Sequence, residues 1–154
     1  MKLYRISNKK YAENLLGTGA WLYGGRWNSK GIAVVYTSGS IALAVLENLV
    51  YFDMDLMPKD LVLTTLEIPE SISIQKIAAN QLQKDWNCYP HTEGTQQLGN
   101  RFVKDAKHLL LRVPSAIVSQ EFNYILNPSH PDFKKIKICK NEVFSLNERL
   151  FKNM

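Results

Sequence analysis

A chain of 154 residues, 45% hydrophobic and 21% charged, has the size and make-up of one globular domain, expected here over residues 1–154. Folding at this length buries roughly 70% of the surface of the unfolded chain, so no disulfide or metal staple is required; Cys88 and Cys139 form no C-x-x-C pair and read as free thiols. The net charge of +5 leaves open a polyanion, a small anionic substrate, an acidic partner or simple solubility, whereas the lack of a long apolar run excludes a membrane-spanning helix and the polar Ser7–Lys10 after Met1–Arg5 excludes a secretory leader, which points to the cytoplasm.

In chain order, Leu3–Ile6 predicts a short opening strand, and Gly17–Gly25, with four glycines in nine residues, predicts a loop. Ile32–Tyr36 is rich in β-branched residues and predicts a strand. Ser38 or Ser40 can then cap a helix over Ile41–Phe52. Leu61–Ile68 predicts a strong strand stopped by Pro69, Thr92–Lys107 a second helix, and Leu109–Val113 a buried strand ended by Pro114. Further short strands are expected at Ala116–Val118, Tyr124–Leu126, Ile136–Cys139 and Val143–Leu146. Lysines alternate with apolar residues over Lys134–Lys140, the pattern of a strand with one solvated face. Strands outnumber helices without a regular βαβ alternation, so the expected class is α+β, mixed or antiparallel sheet with a few helices.

Four features carry potential chemistry. Glu47 is the only charge in Ile41–Phe52, and its helical neighbours Leu43, Ala44, Val50 and Tyr51 offer no countercharge. Such a carboxylate is either the polar edge of an amphipathic helix or is met by donors from elsewhere in the fold. In Gly24-Gly25-Arg26-Trp27-Asn28 the glycines permit close backbone approach to a ligand. There Arg26 is a fork suited to phosphate or carboxylate, and Trp27 and Asn28 offer a stacking surface and an amide; the alternative is a turn with a surface arginine. Tyr36 closes an apolar strand and is either packing or a contact group. Ser115 follows Pro114 and is either a turn residue or a hydrogen-bonding group.

Other machinery is missing. Leu22 stands where the dinucleotide fingerprint starting at Gly17 needs glycine, and neither a P-loop nor a G-x-S-x-G elbow occurs. His91, His108 and His130 have no metal-ligand spacing, so no metal is expected.

In order and spacing, Leu3-Tyr4-Arg5-Ile6, Gly17-x-Gly19-Ala20, Gly24-Gly25-Arg26-Trp27-Asn28-x-x-Gly31, Val35-Tyr36-x-Ser38, the helix with Ala44 and Glu47, Leu111-x-Val113-Pro114-Ser115 and Asn123-Tyr124-x-Leu126-Asn127-Pro128-x-His130-Pro131 resemble the RES-domain family over nearly the whole chain. The resemblance implies an ADP-ribosyltransferase-like fold with a cleft for NAD⁺ and NAD⁺ degradation as a toxic activity, with NAD⁺ as substrate and no further cofactor. It also implies a cognate antitoxin with a helix-turn-helix DNA-binding part. It places the family's arginine on Arg26, tyrosine on Tyr36, glutamate on Glu47 and serine on Ser115, with Ser119 as a second possibility for the serine. Under it, Arg26, Trp27, Asn28 and Tyr36 bind NAD⁺, and Glu47 stabilises an oxocarbenium-like ribose as nicotinamide leaves. Hydrolysis and phosphorolysis stay open. Transfer of ADP-ribose to a protein is the neighbouring alternative. Such transferases often carry an acidic residue two positions before the catalytic one, and here that position is Val45. A basic nucleic-acid-binding module is the alternative from another class, resting on Lys134–Lys140 alone. A catalytically dead, partner-binding member is a third, disfavoured because all four key residues are present.

Overall fold

The computed structural model describes residues 1–52 and 58–151. Seven strands among them form one sheet in the order β4-β5-β6-β2-β1-β3-β7, with every pair antiparallel except β4–β5. The strands are β1 (Lys2–Asn8), β2 (Val35–Ser38), β3 (Leu61–Glu67), β4 (Ile74–Lys76), β5 (Leu110–Pro114), β6 (Phe122–Leu126) and β7 (Lys137–Phe144). The helices are α1 (Thr18–Tyr23), α2 (Ile41–Leu49) and α3 (Glu93–Asp105). The expected α+β class with a mixed sheet and few helices is the one observed. Among the described residues no helix is long and apolar enough to cross a membrane.

Successive residues of a strand point to opposite sides, and the inner strands β3 and β5 are buried on both, whereas the edge strand β7 is largely exposed. On one side Leu3, Val35, Leu66, Leu110 and Leu126 pack together. On the other, Leu111, Val113 and Ile125 meet Trp27, Val34, Trp86 and Phe102. A third cluster, Ile6, Ala44, Leu61 and Leu63, seats α2 against β1 and β3.

The seam between β1 and β2 matters for the site. β1 follows β3 over seven residue pairs, from Lys2↔Glu67 to Asn8↔Leu61, but meets β2 only at Tyr4↔Ser38. Beyond Tyr4 the two strands diverge, and a cleft opens between them.

Several expectations are corrected. The glycine-rich Gly17–Gly25 segment holds the six-residue α1, bounded by Gly17 and Gly24, both with positive φ. Glycine supplies the left-handed backbone that starts and stops so short a helix. Ala116–Val118 is not a strand: the chain bends there, and the backbone N–H groups of Ile117 and Val118 donate to Ser115 Oγ instead of to a ladder. Ile136–Cys139 and Val143–Leu146 belong to one strand, β7, which passes a bulge opposite Thr65 and Leu66. β2 starts at Val35 and continues to Ser38, and α2 ends at Leu49. β4, three residues on an edge, is an addition.

Candidate functional site

The cleft at the seam measures about 560 Å³, within the roughly 300–1,000 Å³ of ligand sites. β1 supplies Arg5 and Ser7, the α1 region and following loop supply Thr18 and Gly24–Trp27, β2 supplies Tyr36 and Ser38, α2 supplies Glu47, and β6 supplies Asn123. The two residues the sequence marked most strongly, Arg26 and Glu47, therefore line one cavity.

Glu47 reaches it because α2 is set by its ends. Ser40 Oγ caps the helix by accepting from Leu43 N–H at 3.1 Å and donates to Glu121 Oε2 at 2.8 Å. Leu43 and Ala44 then turn inward, and Glu47, one turn further on, faces the cleft half-buried. Its Oε1 accepts from Ser115 Oγ at 2.7 Å and from Asn123 Nδ2. These two donors offset part of the cost of holding a charge away from water. Among the described residues no cation forms an ion pair with it.

Ser115 is fully buried and stands where Pro114 ends β5. Its oxygen accepts from Ile117 N–H at 3.1 Å and Val118 N–H at 3.0 Å, so its proton has Glu47 as its acceptor. Ser119 is exposed in the following turn. Of the two serines, Ser115 is the one that touches the carboxylate.

The Gly24–Asn28 segment is a small closed turn, with a bridge between Gly25 and Asn28. Gly25 is needed there by contact: a Cβ would lie 2.6 Å from the Tyr36 hydroxyl. Arg26 Nη1 donates to the carbonyls of Trp86 at 2.7 Å and Cys88 at 2.9 Å. A loop some sixty positions away thus orients the guanidinium, and among the described residues it has no acidic partner.

Trp27 and Asn28 do not provide the open stacking surface and free amide expected of them. Trp27 is 3% exposed, tilted against Trp86 with ring centroids 6.4 Å apart. Asn28 is fully buried; its Nδ2 donates to the carbonyls of Ala20 and Ile32, and its Oδ1 accepts from the Tyr36 hydroxyl at 2.7 Å. Both hold the turn in place, since a buried amide must find protein partners where water is excluded.

Tyr36 lines the cleft with its ring and ties the turn down with its hydroxyl, which also accepts from Trp27 N–H at 3.0 Å. Burial pushes this phenol far above its ordinary range, against a smaller lowering by the Trp27 hydrogen bond, so it stays neutral. Tyr51 at the rim is also raised, first by burial and then by the charge of Glu47.

Three lining residues escaped the sequence reading. Asn123 was within a quoted motif, but nothing in its spacing linked it to Glu47. Arg5 donates to the carbonyl of Asn14 at 3.0 Å, and burial lowers its pKa. Ser7 Oγ is buried in the cleft wall with no partner among the described residues. The i, i+2 spacing of Arg5 and Ser7 on one strand was the available signal.

The basic stretch at Lys134–Lys140 has no such assembly. Lys135 pairs with Asp132 at 2.8 Å and Lys140 with Glu142 at 2.6 Å, both at the surface.

The RES domain family matches residues 2–147. The chain belongs to the RES-domain family. This RES domain is 41% identical to "Toxin Res" of Photorhabdus laumondii, over 99% of this chain and 98% of that one. It is 37% identical to "Prs ADP-ribosylating toxin" of a Sphingobium species, over 84% of this chain and 81% of the relative. Its fold is similar to that of a chain in the crystal structure of the M. tuberculosis MbcT–MbcA toxin–antitoxin complex, with a TM-score of 0.77 and 16% identity, over 94% of this chain and 84% of that one.

Proposed function

We propose that this protein is the toxin of a toxin–antitoxin pair and that it destroys NAD⁺ by cleaving the nicotinamide–ribose bond. The observation that carries this reading is the Glu47 carboxylate, tied by Ser115 and Asn123 at one oxygen and lining a cleft that also holds Arg26 and Tyr36. The nicotinamide leaving group is a pyridinium. When the C1′–N bond breaks, the electron pair goes to the ring nitrogen, nicotinamide leaves neutral, and positive charge develops on the ribose. A fixed carboxylate beside that sugar stabilises this charge without having to reorganise. Arg26, held by two carbonyls, presents its remaining N–H groups to the pyrophosphate or the adjoining ribose. The Tyr36 ring offers a face to the cationic nicotinamide. Arg5 and Ser7 line the cleft along β1 and suit the polar remainder of the dinucleotide. Water or phosphate then attacks C1′.

A second reading, transfer of ADP-ribose to a protein, is favoured by the name of the Sphingobium relative. It uses the same bond cleavage with a protein side chain as nucleophile. Against it, the position two before Glu47 is Val45, packed beside Ile6, Ala44 and Leu63, where an acid that prepares an acceptor would otherwise stand.

The test is incubation with NAD⁺, with and without phosphate, followed by product analysis. Free nicotinamide with ADP-ribose means hydrolysis, and nicotinamide with a phosphorylated ADP-ribose means phosphorolysis. Intact NAD⁺ overturns the reading. Label from NAD⁺ found only on protein supports the second one.

A further inference from the structure

We infer that Asn123, itself oriented by Ser38, is a positioning residue that fixes which oxygen of Glu47 meets the substrate. The inference rests on the reading of Glu47 as the group that faces NAD⁺.

Register brings the parts together. Asn123 on β6 lies opposite Ser38 on β2 and opposite Val113 on β5. Directly opposed residues of an antiparallel pair share a face, so Ser38 and Asn123 stand side by side under α2. Ser115 follows two residues after Val113. The hydrogen-bond polarities are then fixed by chemistry. A carboxylate only accepts, so the Asn123 amide turns its Nδ2 to Glu47 Oε1. That leaves Oδ1 facing Ser38, whose hydroxyl donates to it at 2.8 Å. Ser38 is 4% exposed, so water does not compete for this bond. On the other side, Ser115 Oγ accepts two backbone N–H groups and gives its proton to the same Oε1.

Both donors therefore converge on one oxygen, Asn123 from β6 and Ser115 from the bend that follows β5. Two anchors on Oε1 stop the carboxylate from turning about its χ3 bond, a rotation that is otherwise broad. Oε2 is left with no partner among the described residues. Ser115 alone would leave a single pivot; Asn123 turns it into a clamp. A flip of the Asn123 amide would set two acceptors against each other, and Ser38 opposes that flip.

The test compares the wild-type protein with Asn123→Ala, Asn123→Asp and Ser38→Ala, measuring nicotinamide release from NAD⁺ between pH 5 and 8.5, with Tm for each. Asn123→Ala is expected to lower kcat at least 10-fold with KM changed less than threefold. Ser38→Ala, which keeps the amide but frees it to flip, should lose less. Asn123→Asp gives the signed result. Two carboxylates at hydrogen-bond distance share one proton. While that proton is held, the new acid donates to Oε1 as the amide did. Once it leaves, the two charges repel and the clamp opens. The variant should therefore keep most of its kcat at pH 5 and lose it as pH rises, whereas the wild type shows no such fall. Tyr36 and Tyr51 stay neutral across that interval and Glu121 is turned to Ser40; His91, which meets Gln96 beside the Arg26 turn, is protonated toward the acid end, which acts in the opposite sense and in wild type and variants alike.

Asn123→Ala with kcat within twofold of wild type overturns the inference, as does an Asn123→Asp profile that matches wild type. A rise in KM with kcat unchanged would make Asn123 a substrate-binding group and overturns it too. If Asn123→Ala fails to fold, the other two variants decide. An inactive wild type overturns the proposed function and this inference with it; an active wild type with indifferent variants overturns only the inference.

Discussion

Ser115 and Glu47 stand 68 positions apart in the chain, yet the serine hydroxyl donates to Glu47 Oε1 at 2.7 Å. The two substitutions should separate charge from anchorage. Glu47→Gln keeps size and removes charge, so the fold should survive while NAD⁺ turnover falls about 100-fold or more. Near wild-type kcat in a folded Glu47→Gln protein would remove the carboxylate from the reaction. Ser115→Ala also strips two backbone N–H groups of their acceptor, so it should cost about 1–2 kcal/mol of stability in addition to activity. Equal Tm values for the two variants would contradict that double role.

Arg26 is a fork held at its base. Its Nη1 is committed to two carbonyls, and its other N–H groups remain for a ligand. A lysine ammonium is a compact point charge that cannot span both tasks. Arg26→Lys should fold with Tm near wild type and lose at least 10-fold in kcat/KM for NAD⁺. Unchanged kinetics would show that charge alone suffices at this position.

The turn carrying Arg26 is clamped from α3. An added Cβ on Gly99 would lie 1.7 Å from the Trp27 carbonyl oxygen, a backbone atom that cannot move without dragging the turn. Gly99→Ala is expected to cost about 3 kcal/mol or more, lowering Tm by roughly 6–12 °C. Thermal unfolding followed by circular dichroism measures this. A drop of less than about 2 °C would mean that α3 and the turn are not rigidly packed.

His91 makes that clamp sensitive to acid. Gln96 Nε2 shares its two N–H groups among the carbonyls of Gly25 and Asn28 and His91 Nε2 at 3.1 Å, and the imidazole nitrogen must be unprotonated to accept its share. Burial, and then the charge of Arg26, hold the imidazole below its ordinary pKa. The folded state therefore binds this proton less readily than the unfolded chain. The contribution is present above about pH 6.5 and is lost as pH falls through the lowered value. Wild type should lose slightly more Tm between pH 7.5 and 5 than His91→Gln does. The difference is small because the ring is partly in water, and parallel Tm curves would remove His91 from the clamp.

If an antitoxin neutralises this protein at the cleft, Arg26 is the natural anchor for a carboxylate from that partner, since its fork suits carboxylate as well as phosphate. Saturating NAD⁺ should then weaken antitoxin binding in a titration with the purified partner. Affinity unchanged by NAD⁺ would place the inhibitory contact elsewhere.

How much of this could be read before the structure depended on whether the information was held in side chains. The lone charge in an apolar helix singled out Glu47, and the glycine-flanked arginine singled out Arg26, because each broke a local pattern. Trp27 and Asn28 broke the same pattern for another reason: both are buried and fix the turn from beneath. The Trp86–Cys88 loop that orients Arg26 left no trace, since it acts through carbonyls that every residue has. α1 was hidden because its glycines mark turns and its six residues are held by the fold and not by propensity. β4 is too short to show a period. Ala116–Val118 has the residue types of a strand, but its amides are drawn to Ser115 Oγ.

The single pairing of β1 with β2 at Tyr4↔Ser38 has one more outcome. Past Tyr4, the backbone groups of β1 that point away from β3 face the cavity and not a neighbouring strand. Their amides should trade hydrogen for deuterium quickly in the free protein and slowly once the cavity is filled. That makes the seam a built-in reporter of occupancy, readable without following any reaction.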